Sequence, residues 1–162
     1  MVINLCLDLG CPPDTCWCGV AYLPPIPNGD DSFSVTRKSC ALGSYTFGHE
    51  LGHNFGCHHN IEVDKNTYYP YGHGHLIEAG NGVQGSTTIL AYTNPDHRTR
   101  ANYYSNPSMI YPPTGTPLGV KEVSDCARLL TENRFAFAAI GDESGKCNSK
   151  GISIFECMQL VQ

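Results

Sequence analysis

Apolar residues along this chain come in short runs, separated by stretches rich in Pro, Gly and polar residues. The runs that predict a strand, or in the last case a strand or a tight turn, are 2–9, 18–23, 32–36 and 87–92. Residues 94–119 contain five Pro and predict a long irregular loop. Residues 120–140 have apolar positions three and four apart, which predicts a helix that ends at Gly141. Residues 60–84 show no helical period.

A second helix is predicted around the segment HELGHNFGCHH, residues 49–59. Ser44 is a candidate N-cap residue, and Phe47 forms an apolar pair with Leu51 one turn further along the same face. Gly56 can adopt the positive φ with which a chain leaves a helix. The segment is therefore expected to begin on a helix and to end in the loop that follows it.

Such a helix brings two histidines together. His49 and His53 are four residues apart, so both imidazoles lie on one face and can reach the same metal ion. His59 can return after the helix as a third nitrogen ligand, which leaves a fourth position for water, as in catalytic zinc sites. Glu50 projects beside the pair and is free to act as a base rather than as a ligand. The simpler alternative is a helix whose histidines cap or pack and bind no metal.

The composition is that of one globular, loop-rich domain. The chain has 162 residues, of which 41% are hydrophobic and 15% charged. A net charge of -5 argues against nucleic acid or an anionic membrane as the main partner. The apolar runs are far too short to span a membrane. The sequence leaves the oligomeric state open.

Nine Cys are scattered along the chain without paired C-x-x-C spacing, which is typical of disulfide bonding in an oxidising, extracellular setting. Cys16 and Cys18 are too close for an easy mutual bridge, so each is expected to have a distant partner. Cys147 and Cys157 are a candidate clasp in the tail. The first residues lack the pattern of a signal peptide, so a secreted protein is expected without a visible leader.

Four stretches together resemble the metzincin superfamily of zinc endopeptidases, and most closely its reprolysin-like and peptidyl-Asp metallopeptidase branch. CGVAYL at 18–23 resembles the edge strand that binds the substrate backbone, and FSVTRKSC at 33–40 resembles the strand before the metal helix. HELGHNFGCHH matches the extended zinc motif. TTILAY at 87–92, with YYSNP and GTPLG after it, resembles the Met-turn and the pocket wall.

This resemblance implies an α/β fold in which a small twisted sheet lies over the zinc-binding helix, with a C-terminal helix behind it. We expect a catalytic domain at 1–141 and a Cys-containing tail at 142–162. The implied activity is zinc-dependent hydrolysis of peptide bonds, with one zinc ion per chain. Its site residues would be the metal ligands His49, His53 and His59, with Glu50 as general base and Tyr92 near the zinc or the oxyanion. A protein or peptide substrate would bind along 18–23 as an added strand.

The chain departs from the family pattern in three places. Leu90 occupies the Met position of the Met-turn, and Asn60 stands where this branch commonly has Asp. Compared with the family pattern, the strand-helix-strand unit that opens a full domain is expected to be missing ahead of residue 2. Ile3, Leu5 and Leu7 are therefore expected to expose apolar surface, which predicts marginal stability, aggregation or a need for a partner or an upstream segment. The alternative function is a catalytically impaired zinc-binding module with a binding or structural role.

Several polar residues leave two interpretations open. Tyr92 is either a residue of the active site or a buried structural tyrosine. His73 and His75 would share one face of a strand, either as a second metal site or as a solvated pair. Arg98 and Arg100 either select an acidic substrate side chain or form a solvated cluster. His58 is expected to be exposed.

Overall fold

The computed structural model describes residues 4–6, 17–28, 30–65 and 67–143, with the backbone alone described for 4–6 and 141–143. Within these ranges, three small sheets and three helices follow one another. The strands are β1 (Asn4–Cys6), β2 (Gly19–Ala21), β3 (Ser34–Thr36), β4 (Leu76–Ile77), β5 (Ser86–Thr87), β6 (Thr99–Arg100), β7 (Asn106–Tyr111) and β8 (Thr116–Leu118). The helices are α1 (Lys38–Ala41), α2 (Thr46–Asn54) and α3 (Cys126–Glu143). The mixed α/β character expected from the sequence is confirmed.

The first sheet has the order β1-β3-β2 and lies against α2. β1 runs parallel to β3, whereas β2 runs antiparallel to it, with Val20 opposite Val35. The strands predicted at 18–23 and 32–36 are therefore present but shorter, because Pro24 and Pro25 cannot continue the ladder on one side. Among the described strands, β2 lies at one edge of this sheet. Its predicted binding of an extended peptide stays a prediction.

The prediction of a long irregular loop at 94–119 is wrong. This region contains β6, which pairs with β5 in the second sheet, and the β7–β8 hairpin. Pro107 and Pro117 are tolerated because they lie in a two-stranded sheet, where each strand has one free edge. The β7–β8 register shifts between Asn106 and Ile110, which accommodates the missing N–H groups.

The C-terminal helix begins later than its apolar pattern predicted. Residues 120–124 form a turn instead, in which Ser124 Oγ accepts a hydrogen bond from the Val120 amide at 2.9 Å. Glu122 has a φ of 60°, which no helix interior allows. The Asp125 carboxylate then accepts a bond from the Arg128 amide at 3.1 Å, so Asp125 caps the helix.

Two small cores hold these layers together. The larger one, beneath α2, consists of the buried residues Cys57, Ile89, Leu90, Cys126 and Leu129. The smaller one contains Ile77, Ala101 and Leu118. α3 also packs on the end of α2, because Phe137 stacks on Phe55 with a ring separation of 3.8 Å. Asn133 Nδ2 donates to the Phe55 carbonyl at 2.8 Å.

Cys18 has the distant partner that its spacing predicted, since it forms a disulfide with Cys40, 22 residues away. This bond ties the start of β2 to α1. The expected apolar surface at Ile3, Leu5 and Leu7, and the tail clasp at 147 and 157, lie outside the residues whose side chains are described. No helix in the described part of the chain is long and apolar enough to cross a membrane.

Candidate metal centre

The metal helix α2 is bounded by two left-handed residues. It begins at Thr46, after Tyr45 with a φ of 53°, and no side chain caps it. The predicted Ser44 cap is therefore wrong. At the other end, Gly56 has the predicted positive φ, 98°. The amides of Gly56 and Cys57 bond to carbonyls of the last helical turn, a Schellman motif that turns the chain back toward the helix.

This geometry brings the three predicted histidines to one point. His53 Nε2 lies 3.2 Å from His49 Nε2 and 3.1 Å from His59 Nε2. A zinc ion held tetrahedrally at ~2.0–2.1 Å from each nitrogen requires nitrogens about 3.3 Å apart. The separations therefore fit a zinc ion. Within the described part of the chain, this is the one group of His, Cys, Asp and Glu that could hold a metal ion.

The outer nitrogens of the three rings are each held by an oxygen. His49 Nδ1 lies 2.7 Å from the Ile89 carbonyl, and His53 Nδ1 lies 2.7 Å from the Cys57 carbonyl. Because each carbonyl only accepts, the proton belongs on Nδ1 and the lone pair on Nε2. Three convergent Nε2 acceptors without a donor cannot satisfy one another. The donor set therefore fits a shared cation.

His59 has a carboxylate as its outer partner. Asp64 Oδ2 lies 2.9 Å from His59 Nδ1 and accepts a second bond from the His59 amide at 3.1 Å. A carboxylate in this position orients the ring and raises its basicity as a ligand. Sequence reasoning missed Asp64, because nothing in a five-residue spacing across a loop predicts this contact. The expectation that His58 is exposed is wrong, since its ring is mostly buried and lies 3.8 Å from the same carboxylate.

Burial keeps the three ligand candidates neutral. Desolvation lowers the pKa of His49 to about 4 and that of His53 to about 3. It also lowers the pKa of His59, although Asp64 opposes this effect. Neutral imidazole is the form that binds a metal ion, so the rings need lose no proton from Nε2 at neutral pH.

Glu50 is buried within the same helix and is only 5% exposed. Desolvation raises its pKa to about 7, although the charge of Arg100 opposes the shift. Its carboxylate lies against Gly19 in β2, where a Cβ atom would come within 2.4 Å of Glu50 Oε1. The absence of a side chain at Gly19 therefore gives the carboxylate its space. Sequence reasoning did not single out this glycine.

Tyr92 lies over the histidines, with its ring 4.0 Å from that of His59 and 6.4 Å from that of His49. It is 46% exposed, so it is not a buried core tyrosine. Its amide donates to Asn60 Oδ1 at 3.0 Å, which gives a positioning contact to the residue that stands in place of Asp. The catalytic role of Tyr92 stays a prediction.

The floor of the site is Leu90, which is fully buried. Its side chain packs so closely under the helix that a Cβ atom at Gly52 would lie 2.7 Å from Leu90 Cδ2. Tyr104 supports the helix beside it, because its hydroxyl donates to the Gly48 carbonyl at 2.6 Å. The residue in the Met position therefore acts by packing.

The loop that carries His59 is held by His73. Its Nδ1 donates to the His59 carbonyl at 2.8 Å, and its own carbonyl accepts a bond from Ser105 Oγ at 2.5 Å. Ser105 Oγ in turn accepts from the Cys126 amide, at the start of α3, at 2.9 Å. The prediction that His73 and His75 share a strand face is wrong, because β4 begins only at Leu76 and the two rings have different partners.

The outer edge of β2 pairs with no other strand among the described residues. The Cys18 carbonyl and the Tyr22 amide bond to the β3 side, so by alternation the backbone groups of Gly19 and Ala21 point outward. Asn54 joins this strand pair to the metal helix, since its Nδ2 atom lies 3.0 Å from the carbonyls of Tyr22 and Phe33. The edge and the histidines are thus held in fixed relation.

The metal centre, with three imidazoles around one point and a buried carboxylate on the same helix, has the features of a metallopeptidase. Residues 11–60 match the model of the reprolysin-like metallopeptidases of family M12B. This match confirms the resemblance to that group, and the chain is related to it.

Curated relatives support this assignment. The chain is 38% identical over 109 residues to a peptidyl-Asp metalloendopeptidase of Stenotrophomonas maltophilia strain K279a, a match that covers 67% of this chain and 25% of the relative. It is 40% identical over 79 residues to a protein of the same name from Pseudomonas fragi, with 48% of this chain and 52% of the relative covered. The chain thus spans between a quarter and about half of these relatives. No solved structure matches it.

Proposed function

We propose that this protein is a zinc-dependent endopeptidase whose zinc ion is held by His49, His53 and His59. The observation that carries the proposal is the convergence of three neutral imidazoles, in which His53 Nε2 lies 3.2 Å from that of His49 and 3.1 Å from that of His59, and each ring is oriented through its other nitrogen. When bound, a zinc ion at such a site supplies a Lewis acid that activates water and polarises a carbonyl.

The chain's own residues have distinct roles in this proposal. The Glu50 carboxylate accepts the proton of the attacking water and returns it to the leaving amine, as a general base and then a general acid. Burial suits Glu50 to both directions of transfer, because a carboxylate deprived of water holds a proton more readily. The Tyr92 hydroxyl donates a hydrogen bond to the oxyanion.

The substrate lies along 18–23 as an added strand. The outward backbone groups of Gly19 and Ala21 pair with an extended peptide, which places a peptide carbonyl near Glu50. The exposed side chains of Val20 and Tyr22, at 54% and 53%, give this edge apolar contacts for the substrate.

The relatives' shared name indicates the kind of bond that is cleaved. Because several are called peptidyl-Asp metalloendopeptidases, we propose that this protein also acts at Asp residues. The Cys18–Cys40 disulfide supports secretion, since such bonds persist in oxidising compartments.

The test is hydrolysis of denatured casein by the purified chain with zinc, with a chelator, and with zinc restored. Activity should appear only with zinc. Glu50→Gln should retain the metal and lose about 10²–10⁴-fold in kcat. Glu78→Gln is the matched control, since Glu78 is exposed and is not among the described contacts of His49, His53 or His59, and it should leave kcat unchanged. Stoichiometric zinc binding without cleavage would refute the proposal and favour the catalytically impaired module.

A further inference from the structure

Arg100 is a cation fixed at the border of the metal centre. From β6, its Nη1 donates to the Ser44 carbonyl at 2.9 Å and its Nη2 to the Ala91 carbonyl at 3.2 Å. Ser44 precedes the metal helix, and Ala91 lies between the buried floor residue Leu90 and Tyr92. The guanidinium therefore joins the entrance of the helix to the segment over the histidines, and two bonds hold its orientation.

The charge of this guanidinium has no counterion within the described part of the chain. None of the ion pairs there involves Arg100, and its Nε atom is buried without a hydrogen-bond partner. A guanidinium has five N–H donors, and the two carbonyls use two of them. Of the two interpretations left open by the sequence, a solvated cluster fits the exposed Arg98, whereas Arg100 is partly buried.

The positive charge of Arg100 lies close to the residues proposed to contact the substrate. The bond of Arg100 to the Ala91 carbonyl places the guanidinium next to Tyr92 in the chain. Burial lowers the pKa of Arg100, and the charges of Glu50 and Tyr92, the two residues proposed to contact the reacting peptide, oppose this shift. A partly buried cation without a counterion costs free energy in the free protein. A ligand carboxylate removes this cost, since it accepts two parallel N–H bonds from one guanidinium. A neutral amide cannot compensate the charge.

We propose that Arg100 binds the carboxylate of an acidic substrate residue next to the scissile bond and so determines specificity. This inference rests on the proposed peptidase function. Arg98, two residues earlier, does not share the role. Its Nε donates to the Pro95 carbonyl at 2.9 Å and its side chain is exposed. Arg98 therefore has the same guanidinium group as Arg100 but does not hold it at the border of the metal centre.

The experiment compares quenched fluorescent peptides that differ only in Asp or Asn at one position, with the cleaved bond located by mass spectrometry. The wild-type chain with zinc should prefer Asp over Asn by about 10- to 100-fold in kcat/KM, the range of a charge-assisted hydrogen-bonded pair. Arg100→Gln should remove most of this preference by slowing Asp cleavage, while Asn cleavage stays within about threefold. Arg98→Gln should keep the full preference.

A binding measurement separates recognition from turnover. In the Glu50→Gln background, the Asp peptide should bind about 10-fold or more tighter than the Asn peptide by fluorescence anisotropy, and adding Arg100→Gln should equalise them. Arg100→Lys should retain an intermediate preference, since it keeps the charge without the planar fork. Zinc content and the melting temperature show whether a variant is folded, and Arg100→Lys replaces Arg100→Gln if the latter unfolds.

The outcomes distinguish the two proposals. No cleavage of any peptide by the zinc-loaded wild type would overturn the peptidase function itself. Cleavage with no preference for Asp, or a preference that stays at its full wild-type size in every folded Arg100 variant, would overturn the assignment of Arg100 and leave the peptidase function intact. A preference lost in Arg98→Gln instead would also overturn it.

Discussion

Gly19 is the residue at which the smallest change should separate catalysis from folding. Substitution with Ala places a Cβ atom 2.4 Å from Glu50 Oε1, 2.7 Å from Glu50 Cγ and 2.8 Å from Glu50 Cδ. The carboxylate must move by about 1 Å before the shortest contact reaches the 3.4 Å of ordinary van der Waals separation. All three atoms belong to one flexible side chain, so Glu50 yields rather than the strand.

The expected result is a folded, zinc-binding and nearly inactive protein. A displacement of about 1 Å in a catalytic group can cost about 10²-fold in rate, or roughly 2.7 kcal/mol of transition-state stabilisation. The free energy of unfolding should fall by about 1–3 kcal/mol, the usual cost of an added methyl group in a closely packed site, which leaves the protein folded. Zinc affinity should not change, since Gly19 does not contact the histidines.

The measurements are kcat/KM on the Asp peptide, zinc content and urea unfolding. Gly43→Ala is the matched control, since a Cβ atom at Gly43 meets nothing within 4 Å and Gly43 lacks a positive φ. It should behave as wild type. Full activity of Gly19→Ala would refute the reasoning, because Glu50 would then tolerate displacement or lie elsewhere during catalysis. Loss of zinc together with activity would show that the strand had moved instead.

Three further variants test the supports of the site. Replacing Asp64 with Asn should weaken zinc binding about 10- to 100-fold in a chelator competition assay; unchanged affinity would show that His59 needs no carboxylate. Leu90→Met should alter unfolding free energy by less than about 1.5 kcal/mol and leave peptide cleavage nearly unchanged, whereas a large gain in activity would identify Leu90 as a defect. Paired Ser substitutions at Cys18 and Cys40 should cost about 3 kcal/mol in urea unfolding; a cost near zero would contradict the estimate for a loop of this length.

The parts of the site that sequence could predict are those set by local backbone geometry. The four-residue spacing of His49 and His53 fixes their common face on any helix, and the positive φ of Gly56 follows from its lack of a side chain. By contrast, Asp64, Arg100 and Gly19 reach the site from a loop and from two different strands. No local period encodes those approaches, so sequence reasoning left Arg100 undecided and missed the other two.

Local sequence patterns also failed to predict parts of the fold that depend on contacts between distant residues. β6 is only two residues long, β7 and β8 each contain a Pro, and only their pairing partners make them strands, so local propensity predicted a loop. Val120 and Val123 continue the apolar period of α3 upstream. The Ser124 side chain bonds the Val120 amide there, and the chain turns instead of extending the helix.

The contact of His73 with the His59 carbonyl shows that the three histidines become positioned in different ways. His49 and His53 are positioned once α2 has formed. His59 is positioned only when the segment between it and His73 folds so that His73 contacts the His59 carbonyl. Most of the conformational entropy lost when the metal site is completed is therefore lost by the segment that follows α2. Because His73 is linked through Ser105 to the first turn of α3, the order of that turn and the affinity for the ion are thermodynamically linked. A substitution far from any ligand can thus change how tightly the ion is held.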